Sequence, residues 1–319
     1  MKFTTQIPIS KSPNPIDYHS KIIAIGSCFT ANMGAKFDYF KFQHTTNPFG
    51  IIFNPISIGK LISRVVNQYL FTEKDIFFYN ENWHCYEVHS ELSNPNKELF
   101  LAELNELVLL THKQIQEASH CIITLGTSWV YRNIETNEIA ANCHKVPQKQ
   151  FTKELLSIEE IEKCLIQITT EIYSLNPDCH FIFTISPVRH IKDGFVENQR
   201  SKAHLITAIH QTFQSEICNL KSTIYFPSYE IMMDELRDYR FYMEDMLHPN
   251  QTAIDYIWEL FADTSISEVS HSVLREVEII QKGLAHRPFN PNSESHQQFL
   301  SKLQDKMLKI QKQFPQIQF

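Results

Sequence analysis

The stretch "KIIAIGSCFT", Lys21 to Thr30, decides the fold. Its first six residues form a near-continuous apolar run of strand length that stops at a glycine. A run apolar on both faces predicts a strand covered by helices on both sides, as parallel sheets are. Three further runs share this character: "HCIITLG" (120–126), "HFIFTIS" (180–186) and "STIYFP" (222–227). Helical patterns fill the intervals, over 30–40, 55–69, 97–117, 157–175 and 197–219, with another at 250–262. In 157–175, Ile158, Ile161, Leu165, Ile168 and Ile172 recur at three- and four-residue steps, and Ser157 with Glu160 reads as a capping box. Strand and helix in alternation predict an α/β protein, three layers deep, with a parallel central sheet. Residues 71–95 read as a small inserted hairpin. Beyond about 266 the chain turns polar and helical, so the expected division is a main domain over 1–265 and a helical extension over 266–319 that packs on the domain or on a second chain.

Bulk properties narrow the function. The 319 residues are 43% hydrophobic and 20% charged, with a net charge of −7. No basic stripe suited to nucleic acid stands out. No run approaches the roughly 18 apolar residues of a membrane span. The start, "MKFTTQIPIS", lacks the apolar core of a signal peptide, and the seven cysteines contain no C-x-x-C pair. Reduced thiols and a cytoplasmic location are the simplest expectation. "WHCYEVH" gathers His84, Cys85 and His89, but an odd separation puts the two histidines on opposite faces of a strand. No metal and no cofactor is expected.

Ligands of open parallel sheets bind beyond the carboxyl ends of the strands. The loops there read "GSCFT" (26–30), "GTSWVY" (126–131), "SPVRHIKDG" (186–194) and "PSYE" (227–230). Before the helix at 250 lies "EDMLHPN", where Asp245 and His248 stand three apart, so one turn can bring carboxylate to imidazole. Such a pair leaves the second ring nitrogen free to deprotonate a nucleophile. Ser27 and Cys28 are the candidates, and at a tight strand-to-helix turn only one of two adjacent side chains points into the cleft. A thiol at the first helical position, near an imidazole, is expected to have a lowered pKa. The plain alternative makes Ser27 a helix cap and Cys28 a packed thiol. Arg189 and His190 are candidates for binding a carboxylate or a sugar hydroxyl, unless Arg189 pairs with Asp193 or Glu197. Cys143 and His144 lie in a loop that either lines the cleft or is structural. Trp83 and Trp129 are candidate platforms for sugar rings.

With "NPFG" (47–50), "TLGTSWVY" and "SPVRH", the "GSCFT" turn resembles the GSCFA family, a bacterial group within or near the SGNH (GDSL-type) hydrolases. The resemblance covers most of residues 20–265. It implies a flavodoxin-like fold and acyl transfer, by an esterase, thioesterase or O-acyltransferase, on a small acylated substrate, an acylated carbohydrate among the options. Laid without a gap on the superfamily's Gly-Asp-Ser pattern, Cys28 takes the place of the nucleophile, with His248 as base and Asp245 orienting it. Ser27 stays open as the alternative. The resemblance further implies an oxyanion hole with Gly50, Gly126 and, where the superfamily has asparagine, Ser128. Asn47, Asn54 or Asn142 could stand in for that asparagine. The rival reading is a binding module that keeps the cleft without the chemistry, and a homo-oligomer through the C-terminal helices is compatible with either.

Overall fold

In the computed structural model, residues 5–214 and 223–319 are described. The chain runs through β1 (Lys21–Gly26), α1 (Cys28–Tyr39), β2 (Gln43–Thr46), α2 (Pro55–Val66), a hairpin of β3 (Phe77–Tyr79) and β4 (Asn82–His84), and α3 (Lys97–Glu117). It continues through β5 (His120–Leu125), β6 (Trp129–Asn133), β7 (Ile139–Ala140), β8 (Phe151–Leu155), α4 (Ile158–Leu175), β9 (His180–Ile185) and α5 (Phe195–Gln214). Last come β10 (Thr223–Phe226), a short α6 (Ser228–Glu230), α7 (Gln251–Ser265), α8 (Ser270–Ala285) and α9 (Glu294–Gln313). The expected helix at 197–219 thus starts two residues earlier; its last five positions, with Cys218 and Ser222, lie outside the described residues.

Five strands form the central sheet in the order β10–β9–β5–β1–β2, every pair parallel. Counted along the chain among themselves, they follow the doubly wound, flavodoxin-like order 2-1-3-4-5. The chain reverses direction between β1 and β5, which opens a crevice at their carboxyl ends. Four of these strands match the apolar runs. The fifth, β2, reads "QHTT" and is half-buried along its length; an edge strand needs no apolar run, so its sequence carries none. A second, antiparallel sheet, β7–β6–β8, forms where only loops were expected after residue 126. The hairpin within 71–95 is present, with Phe78 opposite Trp83.

Side chains alternate across the sheet as the pleat demands. Ile23, Ile25, Cys121, Ile123, Phe181 and Phe183 face one layer, packed against Ile62 of α2, Leu104 of α3, Ile168 of α4 and Ile209 of α5. Ile22, Ala24, Ile122 and Ile182 face the other, against Phe29 and Phe37 of α1 and Trp258 and Phe261 of α7. The C-terminal helices belong to this second layer: Val277 and Ile280 of α8 and Leu303 and Ile310 of α9 are buried in the same cluster. Each such side chain contributes roughly 1.5–3 kcal/mol on burial. The capping box at α4 forms as read, with Glu160 accepting from the Ser157 amide at 2.8 Å. Among the described residues no helix is long and apolar enough to cross a membrane.

The turn out of β1 depends on Gly26. Its φ is +152°, and a Cβ there would lie 2.2 Å from the Thr124 carbonyl oxygen. Because that oxygen belongs to a neighbouring central strand, it cannot give way without breaking the register of β1 on β5. Gly26→Ala is therefore expected to cost about 2–4 kcal/mol, in the range of backbone strain combined with overpacking. Chemical denaturation checks this, and a loss below about 0.5 kcal/mol would show that the turn relaxes freely.

Candidate functional site

Ser27 and Cys28, adjacent in sequence, are separated by function of place. Ser27 is 1% exposed and caps α1: its Oγ accepts from the Phe29 amide at 3.2 Å, and its own amide donates to Thr124 O at 3.2 Å. Cys28, the first residue of α1, is half-buried and stands where the crevice opens. Burial pushes its thiol above the ordinary value. The amides of Phe29 and of Cys28 itself and the positive charge of Lys202 oppose this, and the Asp245 carboxylate adds to it. The lowered thiol pKa expected from the helix start is thus corrected: loss of solvation outweighs the amides.

The late loop brings the carboxylate to the imidazole. Asp245 Oδ2 lies 2.6 Å from His248 Nδ1, while Asp245 Oδ1 accepts from the amides of Leu247 (2.9 Å) and His248 (3.0 Å). A left-handed Met246 (φ 58°) and the Met243 amide bonded to His248 O hold the loop in this shape. Those two amides, and after them the His248 ring, hold the Asp245 carboxyl down at about 2. Among the described residues no hydrogen bond joins Cys28 to His248.

The loop after β9 separates two cavities. One, of about 480 Å³, is walled by Phe53, Trp129, Tyr131, Val146, Phe151 and His190. Cys143, His144 and Asn142 line it too. The other, of about 450 Å³, is lined by Arg189, Phe195, Tyr239, Tyr242 and Asp245. Cys28 and His248 line neither; the thiol is placed instead by the strand ends. Burial, then the charges of Lys202 and His248, hold His190 down at about 3, so the ring is neutral at neutral pH. Its Nε2 is buried without a partner, and its ring stacks on Phe53 at 5.5 Å. Arg189 pairs with neither Asp193 nor Glu197; its guanidinium lies over Phe195 at 5.4 Å, and Asp193 pairs with Lys153. Trp129 carries Lys153 over its ring at 4.7 Å and bonds Glu197 O through Nε1. Trp83 lies in the hairpin, tilted against Phe78.

The three expected oxyanion donors all have their hydrogens committed inside the fold. The Gly50 amide donates to Asn47 O (2.8 Å), the Gly126 amide to Phe53 O (2.8 Å), and the Ser128 hydroxyl to Ser201 O (3.2 Å). Asn54 caps α2 through Ser57, and Asn142 accepts from the His144 amide. Asn47 differs. Its Oδ1 accepts from the Gly26 amide at 2.8 Å, which fixes the amide's orientation beside the turn from β1 into α1, and its Nδ2 is buried without a partner.

His84 bonds Ser93 Oγ (2.6 Å) and Tyr79 O (2.9 Å), and burial pushes the Cys85 thiol up to about 12. Among the described residues no group of three or more His, Cys, Asp or Glu side chains is arranged around a metal position.

Sequence reasoning missed Lys202. It is 1% exposed, and its Nζ donates to Gly126 O at 2.7 Å and Ser186 O at 2.8 Å, the carbonyls just past β5 and β9. The signal was present: on α5, Asn198, Ser201, Lys202, Leu205, Ala208 and Ile209 form one buried stripe, and a lysine inside such a stripe is out of place.

The model of the GSCFA family matches residues 21–261. A second, the GSCFA domain protein C-terminal domain, matches residues 277–319. The first spans well over half of the chain, so the chain belongs to the GSCFA family. No curated protein matches it.

The Asp245 carboxyl lies below its unfolded value. The stabilisation it lends the loop is therefore complete above about pH 4 and is lost as pH falls through about 2. Because backbone amides lead the causes, His248→Ala should leave the carboxyl clearly depressed. Carbon-detected NMR titration reads this directly, and a return to the ordinary aspartate value would give the ring the leading role.

Proposed function

We propose that this GSCFA-family protein is an acyl-transfer enzyme, an esterase, thioesterase or O-acyltransferase, with Cys28 as nucleophile, His248 as base and Asp245 holding the ring. The observation that carries the reading is the presentation of a half-buried thiol at the first position of a helix, at the switch point of a doubly wound sheet. Its neighbour Ser27, occupied as a cap, is the weaker nucleophile. The Asp245–His248 pair supports the base assignment, since a carboxylate on Nδ1 leaves Nε2 to work on the thiol. Free enzymes often hold such contacts open until substrate binds.

In the reaction, His248 takes the thiol proton as Sγ forms a bond to the acyl carbonyl carbon, and the carbonyl electron pair moves onto oxygen. Collapse of that intermediate breaks the ester or thioester bond, and His248 returns the proton to the leaving oxygen or sulfur. Water or an acceptor hydroxyl then releases the acyl group from Cys28 by the same steps reversed. Asn47 Nδ2, buried without a partner beside the Gly26 turn, and the Cys28 amide are the donors for the oxyanion, whereas Gly50, Gly126, Ser128 and Asn54 spend theirs inside the fold. The cavity beside His190, with its aromatic wall, suits the acyl or sugar part of a small substrate.

One observation favours a second reading, a cleft that binds without chemistry: the thiol is pushed up and has no bond to His248. Activity separates the two. On short-chain acyl esters and thioesters, Cys28→Ala and His248→Ala should each lose about 10³-fold or more in kcat/KM. Ser27→Ala should cost about 1 kcal/mol of stability as a lost cap and keep turnover. Full activity in Cys28→Ala sinks the reading. Asn47→Asp keeps the acceptor for Gly26 and removes the donor, so kcat should fall about 10²–10³-fold with KM nearly unchanged; an unchanged kcat would place the oxyanion elsewhere.

A further inference from the structure

Arg64, Arg132 and Arg189 are the half-buried arginines among the described residues, and the first two are each closed by a carboxylate. Arg64 holds Glu87 through Nε (2.8 Å) and Nη2 (2.8 Å), and Arg132 holds Glu154 through Nε (2.9 Å) and Nη2 (3.0 Å). In both, one edge of the planar guanidinium meets the two oxygens of a glutamate, the paired geometry that makes such contacts strong and specific. Arg189 has no ion pair and no side-chain hydrogen bond among the described residues, and its Nε is buried without a partner. The Phe195 ring, 5.4 Å away, supplies a face to the guanidinium but no acceptor. A charged donor left open in a half-buried place is costly, and an acceptor from outside the chain relieves that cost.

Arg189 lines the cavity of about 450 Å³, where Phe195, Tyr239 and Tyr242 provide aromatic walls. Asp245, Met246 and Leu247, the run that leads into His248, line the same cavity. Since Asp245 Oδ2 lies 2.6 Å from His248 Nδ1, this cavity adjoins the base, whereas the cavity of about 480 Å³ touches no residue of that loop. The other charges in the lining have partners. Asp245 holds two amides and the His248 ring, Asp238 accepts from the Arg240 amide at 2.9 Å, and Arg237 bonds Asp234 at 2.9 Å. One open guanidinium in a wall that also carries two carboxylates suits a ligand with a single negative charge. A carboxylate meets that condition, and the double charge of a phosphate monoester does not.

We infer that this cavity receives the alcohol or thiol part of the substrate, and that this part carries a carboxylate bound by Arg189. The inference deepens the acyl-transfer reading and rests on it. Proton traffic assigns the side. As the acyl group passes to Cys28, the bond from its carbonyl carbon to the leaving oxygen or sulfur breaks and the electron pair stays on that atom. The proton that His248 took from the thiol then moves onto it. Release to an acceptor hydroxyl runs the other way, with His248 taking the hydroxyl proton. Leaving and accepting atoms therefore both meet His248, and the group they belong to extends into the cavity that adjoins it, while the acyl group takes the other. A carboxylate on Nε and Nη2 of Arg189, with its carbon frame against Tyr239 and Tyr242, orients that group for reaction.

The test compares two esters of equal size, meta-acetoxybenzoate and meta-acetoxybenzamide, which differ in the carboxylate alone. The full chain should turn over the benzoate with a kcat/KM about tenfold or more above that of the benzamide. In Arg189→Gln that ratio should fall to about one, and in Arg189→Lys, which keeps the charge and loses the fork, it should lie between. A ratio near one in the unaltered protein, or a ratio kept in Arg189→Gln, overturns the inference. So does an Arg189-dependent preference for meta-acetoxyphenyl phosphate over the benzoate. Binding decides without turnover. In NMR of the full chain with nitrogen-labelled arginine, millimolar meta-hydroxybenzoate should shift the Arg189 Nε–H resonance, identified by its loss in Arg189→Gln. Meta-hydroxybenzamide should leave that resonance in place, and its staying in place with the benzoate overturns the site. A shift in a protein without ester turnover upholds the carboxylate site and removes the acyl-transfer reading; turnover of both esters without a shift does the reverse.

Discussion

The close approach of β1 to β5 at Gly26 is the constraint on which the site depends. Only a residue without a Cβ can pass the Thr124 carbonyl there, and only at that passage does the chain leave the sheet in time to start α1 at Cys28. The same point ties in the rest of the crevice. The Gly26 amide is held by Asn47, its carbonyl accepts from Ile52, and the Ser27 amide bonds Thr124. Strand end, helix start and the turn after β2 are thus one hydrogen-bonded unit, and the thiol's position follows from it.

Around this unit the protein sets burial against charge. The crevice gives Cys28 the start of a helix, which favours an anion, yet removes enough water to push the thiol up. Lys202 lies on the same balance from the other side, a cation kept near neutrality by the interior. His190 is driven fully to its neutral form. Asp245 alone, exposed and held by two amides, keeps its charge with ease. A gradient runs from the solvated Asp245–His248 loop to the dry floor at Lys202, with the thiol between the two regimes.

The legible part of the fold was the buried part. Runs such as "KIIAIG" and "HFIFTI" are apolar on both faces because helices cover both, and their ends were readable to within a residue. β2 was hidden because "QHTT" packs only partly, and β7 because two residues carry no period. The site divided along another line. Asp245 and His248 are linked by a local turn, so three-residue spacing revealed them. The bonds of the Gly50 and Gly126 amides to Asn47 O and Phe53 O were not legible, because a sequence does not show which backbone amides are spent in turns. Lys202 escaped for a different reason: a lysine is read as solvated by habit, and only its neighbours on the helix face argued otherwise.

The layer that covers α1 is closed by residues far along the chain. The Tyr18 ring stacks on Phe42 and meets Phe314 at 5.2 Å, Gln316 donates to Tyr18 O, and Gln281 donates to Tyr39 O at the end of α1. During synthesis, the underside of α1 stays without this cover until residues past 316 have left the ribosome. Contacts spanning nearly 300 residues also carry a kinetic cost, since loop closure over such lengths slows assembly. The segment from Phe314 to Ile317 thus sets the moment at which α1 acquires its final environment.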